Sequence, residues 1–380
     1  MALVRTEEQE ILARTARELV TGRSPLRRVR ELREDDVGFS RELWRAMAEL
    51  GWLGIVVPEQ YGGAGLGWTE LAVVMEEAGR GLLPEPLVGS VLLATTAVLL
   101  AGSDAQKQAH LPALVAGERL AALAYQEPAS RYDVAHVTTR AERAGSGWKL
   151  TGEKTQVLDG HVADWLVVSA RTAGGERDAD GVTLFVVAAD ASGVRVERQW
   201  RIDHRPAAIV RLDGVTVPAD AVLGADGHGA VLLERVLDRA TVALTADMLG
   251  GMTAAFEMTL DYLKTRKQFG VPIGSFQALK HRAARLFVEL ELARSVVTAA
   301  AHGVDEGATD TQIARLASVA KARASDAFLL VGYEAVQMHG GIGMTDEHDV
   351  GLYLKRARGA ELQFGDAAFH RDRVARLEGY

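Results

Sequence analysis

The chain has no cysteine in 380 residues. That absence excludes disulfides, thiolate metal sites, iron–sulfur clusters and a cysteine nucleophile. It also suits a reducing compartment, and a cytoplasmic location is the expectation. Positive charge is in the minority: 43 Lys and Arg face 51 Asp and Glu, a net charge of −8, without a basic run. A nucleic-acid partner is therefore not expected. No stretch reaches the 18 or so consecutive apolar residues of a membrane span. The longest apolar run, 88–101, is interrupted by Gly89, Ser90, Thr95 and Thr96 and reads as a core helix. Three acids (Glu7, Glu8 and Glu10) within the first ten residues argue against a secretory or transit peptide.

What is present is ordinary for a globular protein: 48% hydrophobic and 25% charged residues. The length suggests two or three domains, and such a chain buries a sizeable core without a metal or disulfide staple.

Three textures follow one another. The first, 1–120, reads as helical. Thr6 with Gln9 forms a capping-box pattern ahead of Leu12, Ala16, Leu19 and Val20, with Gly22 as the expected stop. A second helix carries Leu43, Trp44, Met47 and Leu50 and stops at Gly51, and Thr69 is the expected cap of a third. The second texture, 121–228, holds short β-branched or alternating runs at 165–169, 182–187 and 194–198, punctuated by glycines. Strands this closely spaced leave no room for βαβ crossovers, so an antiparallel barrel or sandwich is expected. In the third, 229–380, helical periodicity returns over about 230–266, 275–301 and 311–338, with shorter helices after Thr345, which makes a bundle. The fold class is α+β: helices, a β-domain, then a C-terminal four-helix bundle.

Few residues carry chemistry on spacing alone. Gly340-Gly341-Ile342-Gly343 follows a helix rather than a strand, so the dinucleotide fingerprint does not apply. It is either a helix cap with a turn, or a place where backbone approaches a phosphate or ring. Arg266 ends the long helix, either complementing its dipole or reaching a pyrophosphate, with Phe269 beside a planar ring. Gln126-Glu127-Pro128 opens the β-domain, and Gly152-Glu153-Lys154 reads as its next turn. No Ser/His/Asp set assembles from spacing. Glu347-His348-Asp349 could ligate a metal but reads better as a solvated helix start, so no metal is expected.

Together these segments resemble the acyl-CoA dehydrogenase family, in the family's order and over nearly the whole chain. They are Pro58-Glu59-Gln60-Tyr61-Gly62-Gly63, Ala124-Tyr125-Gln126-Glu127-Pro128, Thr151-Gly152-Glu153-Lys154 and Asp213-Gly214-Val215-Thr216-Val217-Pro218. Tyr262 with Arg266-Lys267-Gln268-Phe269-Gly270, then Phe276-Gln277 and Gln337-Met338-His339-Gly340-Gly341-Ile342-Gly343, complete the series. The resemblance implies FAD held between a β-domain and a helical bundle, with some ligands reaching in from a neighbouring subunit of a dimer or tetramer. It assigns Arg266, Gln268, Phe269, Gln277, Gln337, Gly340 and Gly341 to the pyrophosphate and adenosine end. Tyr125 and Gln126 would lie along the isoalloxazine, with Gln156 and Leu158 on the strand that touches it. The implied reaction is α,β-desaturation of an acyl-CoA thioester. A carboxylate takes the α-proton while the β-hydrogen leaves as hydride, and an electron-transferring flavoprotein is the usual acceptor.

The departures are as informative. The family's commonest catalytic Glu precedes a Gly on the last part of the bundle; here that place is Phe364, before Gly365. The alternative place on the long helix is Ala240, followed by Thr241. The base is therefore unassigned, with Asp238 and Glu361 as displaced candidates. Where the family has Trp-x-Thr, the chain has Gln156-Val157-Leu158, and Ala129, Arg131 and Tyr132 replace the Gly, Gly and Ser after Glu-Pro. Three readings compete: a subunit whose homologous partner supplies the base, resembling small subunits of pimeloyl-CoA-type dehydrogenases; a lone enzyme with a displaced base; and a silent scaffold or acyl-CoA-binding subunit. The first is favoured, because segments that reach a neighbour's FAD are kept while own-site segments have changed. Aliphatic, dicarboxylic and sterol side-chain thioesters all remain open as substrates.

Overall fold

A computed structural model describes residues 5–380. Its helices are α1 Glu7–Arg23, α2 Leu26–Leu32, α3 Arg41–Glu49, α4 Trp68–Arg80, α5 Thr96–Ala101 and α6 Asp104–Val115. The strands β1 Ala121–Ala124, β2 Arg140–Ala144, β3 Gly147–Leu158, β4 Trp165–Arg171, β5 Val182–Ala188, β6 Val194–Gln199, β7 Ala207–Val217 and β8 Val222–Leu223 follow. Then come α7 Gly229–Thr265, a small hairpin of β9 Lys267–Gln268 and β10 Val271–Pro272, α8 Gln277–Asp305, α9 Asp310–His339, α10 Val350–Leu362 and α11 Ala367–Leu377. Among the described residues, no helix is long and apolar enough to cross a membrane.

Local chemistry explains most boundaries. The Thr6–Gln9 capping box forms as expected, and Ser103–Gln106 and Thr309–Gln312 repeat the device at α6 and α9. Two expected boundaries are corrected. Gly22 does not stop α1, which runs one residue further and caps at Ser24. Thr69 lies inside α4 rather than capping it; the Asp305 carboxylate accepts from the N–H groups of Trp68 and Thr69 and from the Thr69 hydroxyl, at 2.6–2.8 Å. The apolar run after Pro86 is a fully buried π-helix, Leu87–Thr95, that continues into α5.

Contacts divide the chain into two compact units with interleaved segments. One comprises the chain up to Glu31, Trp68–Leu83 and Thr241–Tyr380; the other comprises Leu32–Gly67 and Pro84–Ala240, so the division falls inside α7. In the first unit α4 crosses α7 at backbone distance. A Cβ on Gly79 would lie 1.9 Å from the Asp247 carbonyl oxygen, and one on Gly250 would lie 1.8 Å from that of Glu76. Only glycine fits on each side of that crossing.

In the second unit the strands form one sheet in the order β6-β7-β3-β2-β4-β5-β8, with β1 also on β4. Most pairings are antiparallel, as expected from the short links, but β1 and β2 each run parallel to β4. The apolar side buries Trp148 edge-on to Phe185 at 5.4 Å, among Leu150, Val168 and Val210. Gly152-Glu153-Lys154 is not a turn. It lies within β3 beside a register shift against β7, and Gln126-Glu127-Pro128 follows β1.

Candidate functional site

In the first unit, the end of α7, the β9–β10 hairpin, the start of α8 and the end of α9 enclose an open recess of about 840 Å³. It brings together Arg266, Gln268, Gln337, Gly340 and Gly341, five of the residues singled out from sequence. Phe269 does not line it. It sits at the hairpin tip with φ +54°, 91% exposed, its ring edge-on to Phe276 at 6.1 Å. Gln277 opens α8, also exposed. α9 ends at Gly340 with φ +65°, a backbone conformation that glycine adopts freely. A Cβ on Gly340 or Gly341 would meet nothing within 4 Å, so no neighbour within the chain requires these glycines. Tyr262 and His339 line the recess: buried His339 hydrogen-bonds the Ala335 carbonyl at 2.7 Å, and its ring lies tilted at 4.5 Å from Tyr262 and 4.4 Å from His348. The Arg266 guanidinium is exposed and has no carboxylate partner among the described residues. An unpaired cation, two primary amides and open glycine backbone suit a diphosphate joined to an aromatic base. These residues fit FAD.

The same unit contains the turn between α10 and α11. Phe364 is there, 9% exposed with φ +61°, followed by Gly365 with φ +121°. Positive φ at an aromatic residue is strained and persists only when surroundings hold it. Lys321 of α9, 0% exposed, does so: its ammonium donates to the Glu361 carbonyl at 2.9 Å, the Gly365 carbonyl at 2.7 Å and the Ser325 hydroxyl at 3.2 Å. Burial pushes Lys321 down to about 7, opposed by Glu361 and Asp366. His370 packs beside the turn, held neutral by burial and by the charges of Lys321 and Arg373, down to about 3. Among the described residues, neither the N–H of Phe364 nor that of Gly365 makes a hydrogen bond. Of the displaced base candidates, Glu361 is held by Arg358 at 2.5 Å, and Asp238 is buried on α7. Ala240, the other place where the resemblance implies a base, is 0% exposed.

In the second unit, Tyr125, Gln126, Gln156 and Leu158 lie on two adjoining segments, because Thr155 N–H donates to the Gln126 carbonyl at 2.8 Å. Burial raises the Tyr125 phenol. Gln156 is exposed with φ +52°, its N–H on the Gln199 side chain at 2.8 Å, while Leu158 is buried. Arg131, where the resemblance has glycine, keeps a glycine-like φ of +50°. Glu127, in the loop after β1, and Lys154, in β3, form a buried ion pair at 2.7 Å. Lys154 also donates to Ser169, and Glu127 accepts from Thr138 and Thr139. Burial alone would raise Glu127, but the Lys154 charge and these donors win and hold it at about 2. Asp159, which sequence did not flag, is half-buried and bonded to the Gly89 N–H at 3.2 Å. Burial pushes it up to about 7 against Arg205 and Arg201.

Comparison with known proteins places this geometry. Residues 6–118 match the acyl-CoA dehydrogenase N-terminal domain, 122–215 the middle domain and 227–378 the C-terminal domain. FadE12, an acyl-CoA dehydrogenase of Mycobacterium tuberculosis, is 35% identical over 334 residues, covering 84% of this chain and 83% of that protein. The ChsE4–ChsE5 complex of M. tuberculosis is similar at a TM-score of 0.89 and 31% identity over all of both chains. A Tcur3481–Tcur3483 steroid ACAD is similar at 0.87 and 33% identity over 98% of each. The chain thus belongs to the acyl-CoA dehydrogenase family, FAD-dependent oxidoreductases acting on the CH–CH bond of acyl-CoA thioesters.

Proposed function

We propose that this chain is one subunit of a hetero-oligomeric acyl-CoA dehydrogenase whose second, homologous chain supplies the catalytic carboxylate. The observation that carries the reading is a contrast within one unit. The FAD-directed recess keeps its cation, amides and glycines, whereas Phe364 fills the family's commonest base position in a buried turn. Two structural relatives, ChsE4–ChsE5 and Tcur3481–Tcur3483, are named as pairs of chains, and the latter as a steroid enzyme. That favours a steroid-derived CoA thioester as the substrate class and a second homologous chain as the partner. The domain borders belong to the same reading: helices over 1–120, sheet over 121–228, bundle over 229–380.

Bound FAD would supply the hydride acceptor. Arg266, Gln268, Gln337 and the Gly340–Gly341 backbone would hold its diphosphate and adenosine end, with Phe269 and Gln277 alongside. Tyr125, Gln126, Gln156 and Leu158 of the second unit would border the ring system of an FAD whose other end is held by a neighbouring subunit. The Phe364 N–H would donate to the thioester carbonyl, which acidifies the α-proton without a carboxylate on this chain. Electrons would leave to an electron-transferring flavoprotein.

The test is expression with and without a homologous chain that carries the carboxylate. Alone, the protein should hold substoichiometric FAD by visible absorbance and show little acyl-CoA-dependent dye reduction; co-expression should restore both. Stoichiometric FAD and full turnover in the pure homo-oligomer would reject the two-chain reading.

A further inference from the structure

We propose that Lys321 is a positioning residue that keeps the Phe364–Gly365 turn in the shape of a carbonyl-binding turn, so that this chain binds and polarises an acyl thioester it cannot deprotonate. The inference rests on the reading above that the Phe364 N–H meets a thioester oxygen, and adds what holds that N–H in place.

The argument starts from backbone accounting. A helix leaves its last four carbonyls without intrahelical partners. The Glu361 carbonyl, near the end of α10, is one that Lys321 satisfies. The Gly365 carbonyl lies on the far side of Phe364, just before the Asp366 cap of α11, and Lys321 satisfies it too. One ammonium thus pins both flanks of a turn whose two central residues have positive φ. A lysine with 0% exposure is costly to desolvate, and a neutral residue of similar length would fill the volume more cheaply. Its presence therefore requires a demand that packing does not supply. The turn's own donors indicate that demand: the N–H groups of Phe364 and Gly365 have no acceptor among the described residues although Phe364 is buried, a state that backbone groups rarely tolerate. The carbonyls are tied on one side and the amides left open, the arrangement of an oxyanion-type donor set. The depressed pKa of Lys321 agrees with a group that the interior holds at the edge of its charged state.

The probe is acetoacetyl-CoA, an enolisable thioester that is not a dehydrogenation substrate, bound to the protein with its partner chain if one is needed. Enolate absorbance against pH reports polarisation of the bound carbonyl. The wild type should bind one probe per copy of this chain and favour its enolate over the free thioester. Lys321→Met should lose roughly tenfold of that enolate preference, about one hydrogen bond, while FAD content and oligomeric state hold. Ser325→Ala, which leaves both carbonyl bonds intact, should match the wild type. Should Lys321→Met fail to fold, Gly365→Ala serves instead, since its Cβ would lie 2.5 Å from the Phe369 ring and force the turn to move; it should show the same loss. An unshifted probe in the wild type, or an unchanged shift in folded Lys321→Met or Gly365→Ala, overturns the proposal. FAD content and turnover on co-expression, read separately, report on the two-chain assignment.

Discussion

At the scale of single residues, the pair Glu127–Lys154 shows how burial and charge compete. Neither side chain meets solvent, and each is bonded to more than its partner. Such a pair adds little over an apolar replacement of both members, but breaking it strands a buried charge at a cost of about 3–5 kcal/mol. Glu127→Gln should therefore lower the urea midpoint markedly. The pH dependence has a definite sign. The folded carboxyl lies near 2, below its ordinary 4.5. Its stabilisation is complete above about pH 4.5 and is lost as pH falls toward 2, to a total of about 3 kcal/mol. Urea unfolding of the wild type should weaken across that interval, and the Gln variant should show a flatter acid limb. Both residues stand in the sequence motif, but their pairing does not. It crosses 27 positions and depends on Tyr125–Pro128 lying against β3.

At the scale of elements, the β9–β10 hairpin departs most from ordinary surface chemistry. Its tip exposes Phe269 almost completely, in a left-handed conformation, beside the unpaired Arg266. A side chain with so little intrachain contact contributes little to folding, so Phe269→Ser should change unfolding free energy by less than about 0.5 kcal/mol. The same variant should release FAD from the assembled oligomer more readily, read as flavin lost on gel filtration. Equal retention would remove Phe269 from the cofactor ligands. Element boundaries were legible where the cap is local, as at Thr6–Gln9, and illegible where it is remote. α4 starts on Asp305, more than 230 residues away, and no window on the sequence contains both.

At the scale of the whole molecule, the proposed pairing divides the chemistry between two homologous chains. Asp238 and Glu361 then have no proton to take, and the structure gives Glu361 an ion-pair partner in Arg358. Asp238→Asn and Glu361→Gln should each leave turnover of the two-chain assembly within about twofold of wild type, below the 10²–10⁴-fold worth of a general base. A collapse of steady-state rate in either variant, with FAD still bound, would return the base to this chain.

The sequence by itself determined the helix–sheet–helix order, the capping boxes and the family, because periodicity, cap residues and motif order are local or one-dimensional properties. It also put Phe364 and Ala240 at the two places where the resemblance implies a carboxylate. Tertiary structure alone decided that Glu127 meets Lys154, that Asp305 starts α4, that five scattered residues share one recess, and that Lys321 spans the Phe364 turn. Those facts depend on burial and on donors meeting acceptors across dozens to hundreds of residues. A buried lysine reads in sequence like any other lysine until packing removes its water.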